Sequence, residues 1–281
     1  MNEWEWYSAE ITAGAIKNKF IIVIPCYNAE TTIEMAILTV LKQDFDDLGI
    51  IIRNDLSTDK TASIVRTLFG VEKQGSFSVK SSGRDVVYIE NTKKLYGGGN
   101  TYESVIEYCS DPYSIIGVVD GDDFLVAENA VSIIYEEYKN NTDKWLIWSN
   151  HVSREQLKKK FAGFSFPLPP DAYIYKTRRY WAVSHFRTCL AGLFRLINPE
   201  DLVDPYDKNS YAKICGDAAI MYPIIELCGN KHSLFINKNL YFYNDGLPTN
   251  DAELYKSELQ FYKAYFENKE IYTPLKSDHK F

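Results

Sequence analysis

Through its first half the chain alternates short apolar runs with stretches of helical period. Phe20 to Ile24 is continuous apolar sequence stopped by Pro25, the pattern of a strand buried on both faces. Ile33, Ala36, Ile37, Val40 and Leu41 then recur at i, i+3, i+4, i+7 and i+8, which predicts a helix with one apolar face. Ile50 to Ile52, Val86 to Ile89, Ile115 to Val119 and Trp145 to Trp148 repeat the strand pattern. Between them, Ser57, Thr58 and Asp59 offer N-caps to a helix ending near Gly70. Gly97-Gly98-Gly99-Asn100 opens another helix, to about Cys109, and Ala127 to Lys139 reads as a fourth. Strand and helix in strict alternation predict an α/β fold: a Rossmann-like, open, mostly parallel sheet with helices on both faces.

The alternation stops after residue 150. Three prolines between Phe164 and Pro170 mark a loop, and Tyr180 to Leu196 has a mixed pattern. Asp217 to Cys228 reads as a helix stopped by Gly229, and Leu234 to Tyr243 as a strand. Asn250 and Glu253 resemble a capping box for a last helix, reaching about Asn268. The expected organisation is an N-terminal extension (1–19), a ligand-binding lobe (20–150), a second portion (151–249) and a C-terminal helix and tail (250–281).

Composition narrows the class. Hydrophobic residues at 46% and charged residues at 25% are those of a soluble globular protein. No apolar run approaches the roughly 20 residues of a membrane-spanning helix. The stretch before Lys19 carries Glu3, Glu5 and Glu10 without a basic segment, so no signal peptide is expected. Cys26, Cys109, Cys189, Cys215 and Cys228 lack C-x-x-C spacing. They read as reduced thiols, neither a zinc site nor a disulfide framework, and a cytoplasmic location is expected. The 21 tyrosines are a surplus that lines sugar or base sites, or fills a core.

Net charge −7 hides an asymmetry: between His151 and Arg195 there are nine Lys or Arg and only two acids. A local balance of +7 in an acidic chain points to a polyanionic partner, or else to a solvated basic loop. Arg178, Arg179, Trp181, His185 and Arg187 mix cations with aromatic rings there, which suits nucleic acid or phosphate-bearing acceptors. A core helix with basic edges is the alternative.

The strand Ile115 to Val119 runs into Asp120-Gly121-Asp122-Asp123. Crowded carboxylates cost free energy unless a cation or donors compensate. In an extended segment Asp120 and Asp122 share a side and converge on one hard divalent ion. A solvated Asp-rich turn is the plainer reading of an isolated motif. Two further polar turns also end strands: Pro25-Cys26-Tyr27-Asn28 and Asn54-Asp55-Leu56-Ser57-Thr58-Asp59. Strand C-termini of an open parallel sheet are where ligands bind.

Together these turns resemble the family 2 glycosyltransferases of GT-A fold, with their P-x-Y-N, D-D-G-S-T-D and D-x-D-D turns in this order. The resemblance covers about residues 20 to 140. It implies a UDP-sugar donor and Mn²⁺ or Mg²⁺. Pro25, Tyr27 and Asn28 would frame the nucleoside, and Asp55 would accept from the base. Lys94 would contact base or phosphate. Asp122 would hold the ion directly, while Asp120 and Gly121 complete the donor and metal turn. Asn54 stands where the family has Asp. Leu56 replaces the usual Gly, which implies a less demanding backbone. Ser57 and Asp59 are expected to cap a helix. Gly97 to Gly99 either bring backbone close to a ligand or serve a positive-φ loop.

By the same resemblance Asp217, heading a helix after Cys215-Gly216, is the general base; by local pattern alone it is an N-cap. Asn244 stands where the family often has a His. The Q-x-x-R-W motif of processive synthases is absent, so a single-transfer enzyme is expected. The chain's proportions and its basic insert are similar to phage enzymes that add a second sugar to glucosylated hydroxymethylcytosine in DNA. The expected activity is therefore inverting, metal-dependent transfer of a hexose, glucose first, to a sugar hydroxyl on a polyanion such as DNA. Construction of bacterial surface polysaccharide or lipopolysaccharide is the alternative within the class. A catalytically inactive nucleic-acid-binding module is the alternative outside it.

Overall fold

The apolar run of Phe20–Cys26 forms β1, and all seven residues are buried. Each fully buried Ile or Val here contributes about 1.5–3 kcal/mol relative to exposure, which fixes the strand at the sheet's centre. The computed structural model describes residues 15–154, 165–171, 178, 181–245 and 254–281. After β1 come α1 (Ile33–Leu41), β2 (Leu48–Asn54), α2 (Thr61–Leu68), β3 (Phe77–Ser81), β4 (Arg84–Glu90), α3 (Tyr96–Tyr108) and β5 (Ile115–Val118). The chain continues through β6 (Phe124–Leu125), α4 (Ala130–Asn140), β7 (Leu146–Ser153), β8 (Arg187–Leu190) and the short α5 (Ala191–Phe194). The long α6 (Gly216–Cys228), β9 (Ser233–Tyr243) and α7 (Leu259–Glu267) complete it.

One nine-stranded sheet carries the order β3-β4-β2-β1-β5-β8-β7-β9-β6. The strands β4, β2, β1 and β5 are parallel neighbours. β3 and β8 run antiparallel to theirs. The predicted α/β alternation is therefore present up to residue 150, and the same sheet extends beyond it through β8 and β9. From β1 the chain first winds outward to β2 and β4, then crosses back to β5 on the other side. That reversal opens a crevice at the C-terminal ends of β1 and β5.

Several elements differ from expectation. β3 reads Phe-Ser-Val-Lys-Ser, with every second residue half-buried, two of these three being apolar (Phe77 and Val79). It is an edge strand whose polar half suppresses the apolar-run signal. The mixed stretch before Leu196 resolves, in its described part, into β8 and α5. Leu56 sits at φ +62°, so the backbone keeps the left-handed geometry usual for Gly and the expectation of a less demanding turn was wrong. The proposed capping box at Asn250 and Glu253 lies outside the described residues. Among those described, no helix is long and apolar enough to cross a membrane. All five cysteines are free, and four are buried.

Candidate active site

The first two turns lock together over the crevice. Asn28, at φ +46°, donates its N–H to Ser57 Oγ, and its Oδ1 accepts from the Thr58 N–H. Asp59 accepts from the N–H and hydroxyl of Thr61 and, across the gap, from the Glu30 N–H. Asp59 therefore satisfies the first N–H of α2 from one residue before its N-cap, Lys60, and also anchors the approach to α1, while Ser57 serves Asn28 and not the helix. Asn54 accepts from the Ser57 N–H and donates to Tyr88 Oη, so a neutral amide serves where two donors-and-acceptors meet in the core.

The acidic turn is not extended. The Asp123 N–H donates to the Asp120 carbonyl at 2.9 Å, closing a tight turn. Gly121 donates to the Pro25 carbonyl, and a Cβ added to it would stand 2.6 Å from Cys26 Cβ. Glycine is what lets this turn lie against the end of β1. Asp123 is buried: its Oδ2 accepts from Tyr241 Oη at 2.8 Å and its Oδ1 from the Asn244 N–H at 2.8 Å. Tyr241 Oη in turn accepts from the Asp120 N–H. Asp123 is thus a strut joining the turn to β9, a task the sequence reading did not assign to it.

A cavity of about 550 Å³ opens over these turns. Pro25, Tyr27, Asn28, Asp55, Lys94, Asp120, Gly121, Asp122, His185, Arg187 and Asp217 all line it. Every residue expected to bind donor or metal, the expected base and two of the expected acceptor contacts therefore share one cavity.

On the nucleoside side the chemistry differs from expectation. Asp55 is almost wholly buried, and its carboxylate accepts from Asn91 Nδ2 and from the N–H groups of Leu95 and Tyr96, each at 2.8 Å. Lys94 Nζ is 3.3 Å away. With these donors in place the carboxylate holds the Lys94–Tyr96 corner and has little capacity left for a base. Lys94 Nζ lies over the Tyr27 ring, 2.9 Å from its centroid, so that face already carries a cation.

Opposite, charge is crowded. Burial, with Asp122 and Asp217 adding and Arg187 opposing, pushes the Asp120 carboxyl up to about 7. Its side chain is still 36% exposed, so the enclosure is that of a cavity wall and not of a core. Burial and its two acidic neighbours raise Asp123 well above the carboxylate range. His185 stacks against Tyr241 and Tyr243, with ring centroids 4.8 and 5.0 Å away. Burial, then Arg187 and His151, pull its imidazole well below the usual histidine range, so the ring is neutral. Its Nε2 is 3.8 Å from Asp120 Oδ2. Arg187 is buried; its Nη1 donates to Asp217 Oδ2 at 3.2 Å, and its Nη2 lies 3.1 Å from His185 Nε2. Burial opposes the guanidinium charge, but Asp217 and Asp120 outweigh it and hold the group above its ordinary value. Asp217 lies in the first turn of α6, with Oδ1 on the Ala218 N–H and nearly half its side chain exposed.

These groups fit a divalent cation. Ligand atoms of Asp120, Asp123 and His185 lie within 4.8 Å of one another. Negative charge there is under-compensated, as the raised carboxyls show. Asn244 Oδ1 is buried without a hydrogen-bond partner among the described residues.

Other expected contacts are elsewhere. Arg178 is buried, and its Nε and Nη2 donate to Glu226 at 2.6 and 2.7 Å. It also donates to the carbonyls of Phe266 and Glu270. It fastens the C-terminal segment to α6 and does not face an acceptor. Trp181 packs edge-on against Tyr222, behind Arg187. Arg195 donates to the carbonyls of Cys109 and Ala191. Arg179 lies outside the described residues. The Gly97–Gly99 run is not a positive-φ loop, and Gly97 and Gly98 line the cavity. It forms the first turn of α3, where Gly98 meets Gly216 and Gly99 meets the Tyr211 ring. Tyr241 and Tyr243 were missed, although their i, i+2 spacing on a predicted strand puts both on one face.

Residues 21–200 match the family model of Glycosyl transferase family 2. The chain is 26% identical over 152 residues to the processive diacylglycerol beta-glycosyltransferase of Mycoplasma pneumoniae, covering 54% of this chain and 41% of that protein. It is 30% identical over 168 residues to the GalNAc(5)-diNAcBac-PP-undecaprenol beta-1,3-glucosyltransferase of Campylobacter jejuni, covering 53% and 51%. The aligned part thus spans about half, or less, of these relatives. Among solved structures, S. aureus TarS 1-349 in complex with UDP-GlcNAc superposes with TM-score 0.57 at 16% identity, over 87% of this chain and 63% of that one. The mannosyltransferase PcManGT from Pyrobaculum calidifontis, with GDP-Man and Mn²⁺, gives 0.56 at 14%, over 95% and 70%. Glucosyl-3-phosphoglycerate synthase from Mycobacterium tuberculosis, with Mn²⁺ and UDP-Glc, gives 0.55 at 13%, over 89% and 79%.

Proposed function

The chain belongs to glycosyl transferase family 2 and has the GT-A fold, and on that premise we propose that it is an inverting, metal-dependent hexosyltransferase using a UDP-sugar. The observation that carries this reading is the shared cavity: the Asp120–Asp123 turn, His185, Arg187 and Asp217 all meet in it. An inactive binding module has no need to keep that set together.

Asp217 is the general base. Arg187 and the Ala218 N–H fix its two oxygens, while its exposed side leaves room for an acceptor hydroxyl. As that oxygen attacks the anomeric carbon in line, its proton passes to Asp217 and the bond from sugar to diphosphate breaks, the electron pair leaving with UDP. Asp120 and Asp122 would hold the cation. Mn²⁺ or Mg²⁺ bound there would supply Lewis-acid neutralisation of the departing diphosphate. Arg187 adds a fixed positive charge at the same side of the cavity. Pro25, Tyr27 and Lys94 line the nucleoside end.

The acceptor we propose is a sugar hydroxyl on a carrier-linked saccharide. Two observations support it. The curated relatives are named for a diacylglycerol and an undecaprenyl diphosphate acceptor. Of the four described cations in the basic stretch, Arg178 is buried in an ion pair with Glu226 and Arg187 in one with Asp217 inside the cavity, while Arg154 and Arg195 are exposed, so neither buried arginine offers a surface to a polyanion. A thermal-shift screen of nucleoside diphosphates with and without Mn²⁺ tests the donor reading, since a bound ligand stabilises by mass action. UDP should raise Tm more with Mn²⁺ than alone, and Asp122→Ala should abolish the difference. No UDP shift in either condition would overturn the reading. Transfer from UDP-glucose to lipid-linked saccharides, with glucosylated DNA as the parallel acceptor, then separates the two acceptor classes.

A further inference from the structure

The imidazole of His185 has three unusual features together. It stacks against both Tyr241 and Tyr243, with interplanar angles of 21° and 12°. Its Nδ1 lies 3.3 Å from Ser184 Oγ, which gives that nitrogen a partner. Its Nε2 is aimed at the acidic turn, within 4.8 Å of ligand atoms of Asp120 and Asp123. A ring held in plane, partnered at one nitrogen and presenting the other to carboxylates is how a metal-ligating histidine is set.

Asp123 cannot readily join it, because Tyr241 and the Asn244 N–H already occupy its two oxygens. A second observation comes from Asn244. Its Nδ2 donates to the Asp122 carbonyl, while its buried Oδ1 lacks a partner among the described residues. An unpaired buried amide oxygen is costly, and a cation or its bound water satisfies it.

We infer that His185 Nε2 is a direct ligand of the divalent cation, alongside the Asp120 carboxylate. This rests on the metal-dependent reading above and adds a nitrogen ligand that the acidic turn does not contain. It carries two consequences. An imidazole ligand favours Mn²⁺ or Co²⁺ over Mg²⁺ and Ca²⁺, which prefer oxygen alone. The lone pair of Nε2 that would take the ion is the one Arg187 Nη2 approaches at 3.1 Å. Metal loading therefore displaces that contact and leaves Arg187 to Asp217.

The test is pulsed EPR on the whole chain with Mn²⁺ and UDP, which reads ¹⁴N coupling from a directly bound imidazole without relying on turnover. Wild type should show the coupling. His185→Gln, which retains a planar amide beside the tyrosines, should lose it and bind Mn²⁺ at least about tenfold more weakly, with Mn²⁺ preference over Mg²⁺ reduced. His151→Gln should keep the coupling. Mn²⁺ bound by wild type without ¹⁴N coupling, or with coupling that survives His185→Gln, overturns the assignment alone. No Mn²⁺ binding at all would overturn the metal-dependent reading with it. Because the wild-type spectrum needs no variant, a misfolded His185→Gln leaves the question answerable.

Discussion

Gly98 in α3 and Gly216 in α6 touch backbone to backbone: a Cβ added to Gly98 would stand 2.7 Å from the Gly216 Cα. Asp217 is the next residue, so the distance between the two helix starts sets where the proposed base stands. Gly98→Ala must push α6 away, by something on the order of 1 Å, and misplacement of that size costs up to about 10²-fold in rate. We predict a fall in kcat of about ten- to a hundredfold, with the Mn²⁺-dependent thermal shift by UDP retained. Wild-type turnover in Gly98→Ala would show that this contact does not position the base.

Asp217→Asn separates the two roles open to this residue. The amide keeps size and can still accept from Ala218, but it cannot take a proton. Loss of a general base typically costs about 10²- to 10⁴-fold. Donor binding, read by the same UDP shift, should be unchanged while transfer falls by that factor. A variant within about threefold of wild type would make Asp217 a helix-start residue and nothing more.

The sequence made the parallel half of the fold legible because β1, β2, β4 and β5 are buried on both faces, and buried strands read as unbroken apolar runs. It made the site's address legible because polar turns interrupt those runs at the ends where ligands bind. Side-chain commitments were not legible. Whether Asp55 serves a base or three donors of its own chain depends on Asn91, Leu95 and Tyr96, which a strand and a turn bring from about forty residues away. Arg178 reads as a surface cation until its partner Glu226 is seen in α6, 48 residues on. The glycine run read correctly as a helix start, but its packing role was hidden because its partner, Gly216, lies in the other half of the chain. Asp123 looked interchangeable with its neighbours, and only β9 distinguishes it.

Asp120 ties function to stability through pH. Its carboxyl is raised to about 7 in the folded protein, against an unfolded value of about 3.9. Between those values the folded state holds more protons than the unfolded one, so stability falls as pH rises from about 4 to about 7 and is flat beyond. Asp120→Asn removes the penalty. With EDTA present, the variant should be more stable than wild type at pH 8, and the difference should vanish towards pH 4. It should also lose the Mn²⁺-dependent shift, a trade of stability for function. Equal melting curves across this range would mean that Asp120 ionises like an ordinary surface carboxylate.

Arg178 decides how the basic stretch is to be understood. Both side chains of the Arg178–Glu226 pair are 2% exposed, and the guanidinium also serves two backbone carbonyls. Removing one partner of a buried ion pair leaves the other charge uncompensated and costs about 3–5 kcal/mol. Arg178→Ala should lower Tm accordingly. Arg178→Met combined with Glu226→Leu should recover part of the loss, because no charge is then left buried, although the Phe266 and Glu270 carbonyls still lack their donor. Neither change should alter how steeply transfer depends on salt. An acceptor contact would behave in the opposite way: near wild-type Tm, a raised acceptor KM, and a flatter salt dependence as fewer counterions are released. That result would return Arg178 to the surface and restore a polyanion as the acceptor to pursue.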